Sequence, residues 1–157
     1  MKIKFICVGK TVESFLKEGE LNFQNRLKHY IPFERMDLPD LKNLKYLSTD
    51  QIKLEEGKLI LKQLTPHQDI ILLDENGHQF SSVDFAHFLD STFLRSSKDL
   101  VFVIGGPYGF SEEVYARANN KFSLSKMTFS HQMVRMIFLE QLYRALTIRK
   151  GEPYHHS

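Results

Sequence analysis

Residues 99–110 have the sequence DLVFVIGGPYGF, in which an unbroken apolar run stops at a pair of glycines. An apolar run without alternation is typical of a strand buried on both faces, as in a parallel sheet covered by helices. Glycines directly after such a strand let the backbone approach a bound molecule, and open α/β sheets bind ligands at the carboxyl ends of their strands. This stretch therefore predicts an α/β fold with a binding site at the glycine-rich turn.

Four other segments complete the predicted sheet. Residues 2–9 and 69–74 are apolar runs of the same kind, and each stops at a turn-forming residue. Residues 33–38 alternate between apolar and polar, which indicates a less buried strand. Residues 121–130 are rich in Ser and Thr and predict a short strand at 122–124 followed by an ordered loop. We expect a mostly parallel sheet of about five strands, flanked by helices.

The segments between the strands have the length and periodicity of helices. The predicted helices span residues 12–30, 50–64, 81–94 and 131–150. Ser81 or Ser82 is the expected N-cap of the third. The last helix is apolar on nearly all sides, whereas a helix on one face of a sheet needs only one apolar stripe. We therefore predict a homodimer built on this helix; a deeply buried helix in a monomer is the alternative.

Length and composition restrict the classes of protein to which the chain can belong. A chain of 157 residues and 18.4 kDa, with 42% hydrophobic and 25% charged residues, is expected to form one globular domain over residues 1–157. The single Cys7 excludes an internal disulfide and is predicted to be a buried, inert thiol. No sequence pattern predicts a metal site, a membrane span or a signal peptide, so a cytoplasmic protein without metal is expected.

The net charge of +2 conceals an uneven distribution. Residues 116–150 contain seven Lys and Arg but one acidic residue, which gives +6, whereas residues 1–115 carry −3 and residues 151–157 carry −1. Basic surfaces attract the phosphates of nucleic acids. The sequence therefore predicts a basic surface in the C-terminal third and an RNA partner.

The glycine-rich turn is the first candidate for a functional site. The spacing of Gly105, Gly106 and Gly109 matches neither G-x-G-x-x-G nor G-x-x-x-x-G-K-[ST], which disfavours the common nucleotide-binding loops. The alternative is a tight turn that leads into a helix capped by Ser111.

A second candidate loop follows the strand predicted at residues 69–74. Asp74 and Glu75 are either general bases or ribose ligands, or they are ordinary turn residues before Gly77. Because neighbouring parallel strands end at the same edge of a sheet, we expect both loops to lie at one rim.

Polar side chains also cluster around the start of the last helix. The loop from Ser125 to Ser130 precedes His131, which is either a base near neutral pH or an ordinary polar residue of the first turn. Arg135 and Arg144 are nine positions apart, which places them about 180° apart around a helix, so both cannot face one pocket of one subunit. We expect one to anchor a substrate phosphate and the other to serve the partner or the C-terminus; two solvent-exposed arginines are the alternative.

The tail has the sequence PYHH at residues 153–156. Terminal segments usually fray, so a pair of histidines there can lack a function. An aromatic ring beside His can also stack on an unpaired base and hydrogen-bond to it, as is usual in the recognition of single-stranded RNA. The residues alone leave both interpretations open.

Six sequence blocks, taken together, carry a family resemblance. They are KIKFICVGK at 2–10, LLDENG at 72–77, VFVIGGPYGFS at 101–111, SLSKMTFSHQMVR at 123–135, LEQLYRA at 139–145 and PYHH at 153–156. Each block is weakly specific alone, but their order and spacing within a chain of this length are highly specific. Over essentially its full length the chain resembles the RlmH (YbeA) family, small bacterial methyltransferases of the SPOUT class.

This resemblance implies a fold, a cofactor and a substrate. Family members have a C-terminal trefoil knot that binds S-adenosyl-L-methionine, and they form homodimers around it. They methylate N3 of a pseudouridine in helix 69 of 23S rRNA, on the assembled 70S ribosome. Nothing in the periodicity of the chain predicts the knot, and chains generally avoid knots.

The family motifs also assign candidate residues. The cofactor-binding residues implied by the motifs are Leu73, Gly105, Gly106, Gly109, Ser125, Lys126, Met127, Thr128, Phe129 and Ser130. The candidates for substrate binding and catalysis are His131, Arg135, Arg144, Tyr154 and His155, with the tail reaching an active site formed with the other subunit. We hypothesise that His155 or His131 assists removal of the N3 proton, and that one arginine holds phosphate or the developing negative charge.

Two other functions are compatible with the residues. One is a non-catalytic ribosome- or RNA-binding α/β module that docks through its basic C-terminal third and has no affinity for S-adenosylmethionine. The other is a SPOUT methyltransferase that acts on tRNA or on a 2′-hydroxyl. The small size of the chain argues against the second, since a minimal dimer offers little surface for recognition at long range.

Overall fold

The computed structural model describes residues 1–156 and contains a five-stranded sheet with strand order β2-β1-β4-β3-β5. The strands are β1 (Ile3–Val8), β2 (Phe33–Leu38), β3 (Gln68–Gln79), β4 (Asp99–Ile104) and β5 (Asn120–Ser123). Every neighbouring pair is parallel. The predicted parallel α/β sheet is confirmed, and its central strand, β4, is the apolar run with which the prediction began.

Four helices and a short 3-10 turn connect the strands, and a fifth helix follows β5. The helices are α1 (Ser14–Leu27), α2 (Thr49–Leu61), α3 (Ser82–Arg95), α4 (Glu112–Arg117) and α5 (Met133–Arg149), and the 3-10 turn spans Leu44–Tyr46. Serine side chains begin three of the helices: the hydroxyls of Ser48, Ser81 and Ser111 each accept a hydrogen bond from the third backbone N–H that follows. Ser81, one of the two predicted residues, is thus the N-cap of α3.

The helices cover both faces of the sheet. Helices α1, α3 and α5 pack together on one face, and α2 and α4 pack on the other. Alternate residues of β4 belong to the two cores, since Phe102 contacts the first and Val103 the second, and both are fully buried. Burial on both faces is the physical reason for the unbroken apolar run in this strand.

The main departure from the predicted elements lies in β3. Leu73 and His78 both align with Phe122 of β5, so residues 74–77 bulge out of the ladder before pairing resumes. A Cβ atom on Gly77 would lie 2.6 Å from the backbone nitrogen of Phe122, so only glycine fits this close approach. The apolar run predicted the end of the regular strand at Asp74 but not its continuation to Gln79.

Smaller features agree with the sequence. The alternating strand β2 is less buried than β1, as predicted, and Cys7 is fully buried. Within residues 1–156, no helix is both long and apolar enough to span a membrane. The trefoil knot and the assignment of residues 1–157 to one domain stay predictions.

Candidate active site

A cavity of about 410 Å³ opens at the carboxyl edge of the sheet. It is formed by the bulge of β3, by the end of β4 with the loop after it, and by the end of β5 with the loop that leads to α5. These segments are residues 73–76, 104–110 and 122–134, and Tyr115 of α4 completes the lining. Cofactor and small-molecule sites usually have volumes of about 300 to 1,000 Å³ and lie at this edge of α/β sheets. The two loops that the sequence predicted at one rim of the sheet therefore lie side by side around this cavity.

The glycine-rich loop forms one wall of the cavity. The N–H of Gly109 donates to the carbonyl oxygen of Gly106 at 3.2 Å and closes a turn over Pro107 and Tyr108. Gly109 has φ of +86°, a left-handed conformation that favours glycine. A Cβ atom on Gly105 would lie 2.9 Å from the ring of the buried Phe110. The turn therefore favours glycine at position 109, and the packing against Phe110 requires it at position 105. Because these residues have no Cβ atom, the backbone of the loop can approach a ligand closely.

The bulge of β3 forms the second wall. One carboxyl oxygen of Asp74 accepts a hydrogen bond from the N–H of Asn76 at 2.8 Å, and the other accepts one from the hydroxyl of Tyr115 in α4. Burial and the carboxylate of Asp74 raise the pKa of Tyr115 to about 12, which keeps the phenol protonated as a donor. Asp74 thus holds the bulge against α4, and Glu75 beside it is exposed at the cavity.

Hydroxyl groups order the third wall, as the Ser and Thr content of the loop predicted. Ser123 donates to the carbonyl oxygen of Ser125 at 2.9 Å, and the hydroxyl of Ser125 accepts from the N–H of Met127 at 2.9 Å. The hydroxyl of Ser130 accepts from the N–H of Met133 at 3.2 Å, at the start of α5. The loop is therefore shaped by its own side chains and leads directly into the helix.

Most of the residues predicted to bind a cofactor meet at this cavity. Those that line it are Leu73, Gly105, Gly106, Gly109, Ser125, Met127, Thr128 and Phe129. Lys126 and Ser130 belong to the same loop but do not line the cavity, and the hydroxyl of Ser130 instead accepts from the N–H of Met133, the first residue of α5. His131, predicted as a catalytic candidate, is exposed and lies at the cavity wall.

The charge of the cavity suits a cationic ligand. The described residues that line it include two acids, Asp74 and Glu75, and neither Lys nor Arg. Apolar side chains such as Leu73, Ile104 and Phe129 supply surface for a flat ring system. S-adenosylmethionine combines an adenine ring with a positively charged sulfonium, so the residues present fit that cofactor.

Arg135 lies outside the cavity and is completely buried. Its guanidinium donates to the carbonyl oxygens of Val8 at 2.8 Å and Gly9 at 3.0 Å, and to the hydroxyl of Thr11 at 3.2 Å. We expected either Arg135 or Arg144 to anchor a substrate phosphate; in this arrangement no part of the Arg135 side chain reaches solvent. Arg135 instead fastens the start of α5, and with it the third wall of the cavity, to the end of β1.

Arg144 belongs to a second cluster, formed with the tail. Its guanidinium pairs with Glu140 at 2.5 Å, lies 4.7 Å from the ring centroid of Tyr154 and contacts Nδ1 of His155 at 3.2 Å. Because Arg has no acceptor atom, Nδ1 must accept this hydrogen bond, and the proton of the neutral imidazole then lies on Nε2. We call Glu140, Arg144, Tyr154 and His155 the tail cluster. The expectation that one arginine serves the C-terminus fits Arg144.

The tail is folded back onto α5 and is not frayed. The N–H of Gly151 donates to Ile148 at 3.0 Å, and that of Glu152 donates to the carbonyl oxygen of Thr147 at 3.0 Å. The hydroxyl of Tyr154 donates to Glu140 at 3.0 Å. Burial, together with this contact, raises the pKa of Tyr154.

The cavity and the tail cluster occupy different ends of α5. Val134 lines the cavity, and Arg144 follows ten residues later, which corresponds to about 15 Å along the helix axis. Within a single chain the cavity and the tail cluster are therefore separate.

The structure reduces the basic surface that the charge count predicted. Of the seven basic residues between 116 and 150, Arg135 is buried, Arg144 and Arg149 pair with acids, and Arg117 donates to main-chain carbonyls of residues 65 and 68. Lys126 is exposed at the loop. The charge count could not separate paired cations from free ones.

Sequence reasoning also missed two members of these sites. Glu140 holds both Arg144 and Tyr154, and its spacing of four residues from Arg144 on a helix was a signal that could have identified it. Tyr115, which fixes Asp74, left no such signal because it lies on a different element, 41 residues away.

Comparisons with known proteins identify the group to which the chain is related. A family model described as "Predicted SPOUT methyltransferase" matches residues 1–155. Proteins named "Ribosomal RNA large subunit methyltransferase H" are 55% identical in Parabacteroides distasonis, over 100% of both chains, and 55% identical in Christiangramia forsetii, over 99% of both.

A solved structure shows the same fold at low sequence identity. A "probable methylase family protein" from Haemophilus influenzae Rd KW20 matches with a TM-score of 0.56 and 9% identity, over 99% of this chain and 70% of that one. This likeness supports the α/β fold alone, whereas the two full-length relatives share the sequence. The chain belongs to the SPOUT methyltransferase family, among the proteins named ribosomal RNA large subunit methyltransferase H.

Proposed function

We propose that the protein transfers a methyl group from S-adenosylmethionine to N3 of a pseudouridine in helix 69 of 23S rRNA, on the assembled 70S ribosome. One observation carries the proposal: the cavity at the carboxyl edge has the size, the glycine-rich wall and the acidic lining that suit a sulfonium cofactor. Full-length relatives that are named rRNA methyltransferases favour this catalytic function over a binding module. A ribosomal substrate also implies a cytoplasmic location.

The cavity residues bind and orient the cofactor. S-adenosylmethionine supplies a methyl group that its sulfonium activates, so the protein mainly has to align the acceptor nitrogen and manage its proton. The glycine-rich loop offers close backbone contact through Gly105, Gly106 and Gly109, and the loop at residues 125–130 closes the opposite wall. No metal ligand is needed for this chemistry.

The active site is completed by a second copy of the chain. On one side of α5, Phe138, Leu139 and Leu142 are buried against the sheet, whereas the apolar side chains of Met136 and Ile137 remain half-buried. A symmetric dimer buries the same face of both copies. If two α5 helices pair in antiparallel orientation, the tail cluster of one chain lies beside the cavity of the other.

The two histidines have different roles in such a composite site. Because Nδ1 of His155 accepts a hydrogen bond from Arg144, the ring presents an N–H donor at Nε2. His155 and Arg144 therefore stabilise negative charge on the base as N3 loses its proton. His131, exposed at the cavity wall, is the group placed to accept that proton.

Methyl transfer from labelled S-adenosylmethionine tests the function. The acceptors are 70S ribosomes, separate subunits, free rRNA and bulk tRNA, and the modified nucleoside is then mapped. We expect label at one pseudouridine of 23S rRNA in 70S ribosomes. Label in tRNA alone would support the tRNA alternative, and the absence of both label and cofactor binding would support the binding module.

Analytical ultracentrifugation tests the dimer. We expect a species of twice the chain mass, about 37 kDa, at micromolar concentration. A monomer under these conditions would contradict the composite site.

A further inference from the structure

Glu56 of α2 lies directly behind the glycine-rich loop and is only 7% exposed. It does not line the cavity, whereas Gly106 does. A Cβ atom on Gly106 would lie 2.5 Å and 2.7 Å from the two carboxyl oxygens of Glu56. The carboxyl group therefore fills the space that a side chain at position 106 would need, and the loop backbone separates Glu56 from the cavity.

Burial of the Glu56 carboxyl group costs free energy. Within residues 1–156, its Oε1 atom is buried without a hydrogen-bond partner. Burial and the nearby Asp40 raise the pKa of Glu56, whereas the backbone N–H of Gly106 lowers it. An apolar side chain of similar volume would avoid the cost of burying a charge, so the acidic residue needs an explanation other than stability. The backbone group that favours its ionised form belongs to the glycine-rich loop.

The next residue of α2 contacts the other end of the same loop. A Cβ atom on Gly57 would lie 2.4 Å from the hydroxyl oxygen of Ser111, the N-cap of α4. Ser111 is 5% exposed, so it cannot move away into solvent. Residues 56 and 57 thus lie close to both ends of the loop, at Gly106 and at Ser111.

We propose that Glu56 is a positioning residue for cofactor binding, whose carboxylate holds the N–H of Gly106 and sets the shape of the loop before the cofactor arrives. The inference rests on the proposed function, because it takes the loop at residues 105–109 as the cofactor wall. The N–H of Gly109 donates to the carbonyl oxygen of Gly106 at 3.2 Å. With Glu56 facing the N–H, both polar groups of this glycine are fixed. Such preorganisation improves affinity because less ordering is left for the binding step.

The test compares cofactor affinity with stability in variants of the full chain. Glu56→Met removes the acceptor but fills similar space, and Glu56→Gln keeps a carbonyl oxygen that can face Gly106. Glu55→Gln is the matched control, since Glu55 is the neighbouring acid on the same helix but is half-exposed and pairs with Lys58. Affinity for S-adenosylmethionine is measured by isothermal titration calorimetry, and stability by urea unfolding.

We expect Glu56→Met to bind S-adenosylmethionine about tenfold to hundredfold more weakly, the effect of losing a hydrogen bond to a charged group. Its unfolding midpoint should not fall, because the cost of burying the carboxylate is removed. Glu56→Gln should bind within about threefold of the wild type, and Glu55→Gln should bind as the wild type does. In Glu56→Met the KM for the cofactor should rise while kcat at saturating cofactor is retained.

Two results would overturn the role of Glu56 and leave the proposed function in place. The first is that Glu56→Met binds S-adenosylmethionine as tightly as the wild type does. The second is that, across the variants, affinity for S-adenosylmethionine falls only where the free energy of unfolding falls as well. A wild-type chain that does not bind S-adenosylmethionine would overturn the proposed function, and this inference with it.

Discussion

The two ends of helix α5 carry the same residue type in opposite environments. At the amino end, Arg135 has no exposed surface and donates to the carbonyl oxygens of Val8 and Gly9. Near the carboxyl end, the side chain of Arg144 is 24% exposed and pairs with Glu140. The first arginine is part of the framework of its own chain, whereas the second pairs with its neighbours close to the surface.

Solvation explains the difference. A guanidinium that is removed from water needs hydrogen bonds in return. The two terminal nitrogens of Arg135 obtain them from the end of β1 and the segment after it, whereas Nε has no partner within residues 1–156. The hydroxyl of Thr11 in that segment also donates to Glu20, which is 3% exposed and pairs with Arg35 at 3.1 Å. Removing Arg135 disturbs this whole network, whereas Arg144 stays close to water, where an ion pair is weak.

The largest expected effect is on stability, from Arg135→Ala. The substitution leaves buried acceptors unsatisfied at Val8 and Gly9 and opens a cavity at the start of α5. We expect the free energy of unfolding to fall by about 3 to 5 kcal/mol. Urea denaturation followed by circular dichroism measures this loss.

Arg144→Ala is the matched control at the other end of the helix. We expect it to change the free energy of unfolding by about 1 kcal/mol or less, because its ion pair with Glu140 is partly exposed. Equal losses in the two variants would contradict the division between a framework arginine and a functional one.

The second effect is on turnover, from Arg144→Ala and His155→Ala. In the proposed mechanism both residues stabilise negative charge on the substrate base, so we expect kcat on 70S ribosomes to fall about hundredfold in each variant. Affinity for S-adenosylmethionine should be retained, because neither residue lines the cavity. Methyl transfer with radiolabelled cofactor measures the change, and normal turnover in His155→Ala would remove that residue from the mechanism.

The third prediction asks whether the two ends of α5 act across the dimer. Gly106→Leu disables the cavity, since a Cβ atom there would collide with Glu56, and His155→Ala disables the tail. In mixed dimers one cavity is intact and receives an intact tail from the partner. We expect an equal mixture of the two inactive variants to recover roughly a quarter of wild-type activity after subunit exchange.

The result distinguishes an active site shared between two chains from one formed within a single chain. If cavity and tail cluster worked within one chain, every chain in the mixture would carry a defect and no activity would return. Co-purification of differently tagged chains from the mixture measures how far subunit exchange has gone.

The smallest predicted effect concerns Tyr154. Burial and the carboxylate of Glu140 raise its pKa above the ordinary value of 10.0, so the phenol stays protonated to a higher pH than a free tyrosine. We expect Tyr154→Phe to lower kcat about fivefold, through loss of the contact with Glu140. The reduction should be the same at every pH from about 6 to about 9, because Tyr154 does not ionise in that range. A reduction that grows with pH would show that the phenolate contributes.

Much of the fold could be predicted because it depends on short-range patterns. The apolar run at residues 99–104 predicted a central strand, and the serine before α3 predicted where that helix begins. The bulge after Leu73 could not be predicted in this way. It exists because β3 resumes pairing with β5, and pairing partners are a property of the assembled sheet.

The site was only partly predictable, because some of its contacts also depend on the assembled structure and not on local sequence patterns. Gly105, Gly106 and Gly109 follow a strand directly, so their place at the cavity follows from the parallel sheet. The angle of 180° around α5 correctly predicted that Arg135 and Arg144 lie on opposite sides of the helix. It does not indicate which of these two sides faces the interior of the protein. That choice depends on Val8 and Gly9, which are more than 120 residues away in the chain.

By itself, the sequence determined the parallel α/β fold, the rim on which the loops meet and the family, because each depends on residues that are close in the chain or on their order along it. Only the tertiary structure decided that Arg135 is a framework residue, that Glu56 stands behind Gly106 and that the tail cluster is separate from the cavity of its own chain. These contacts join elements that are distant in the sequence. They decide which charged side chains are buried, and burial of a charge costs free energy unless the group finds partners.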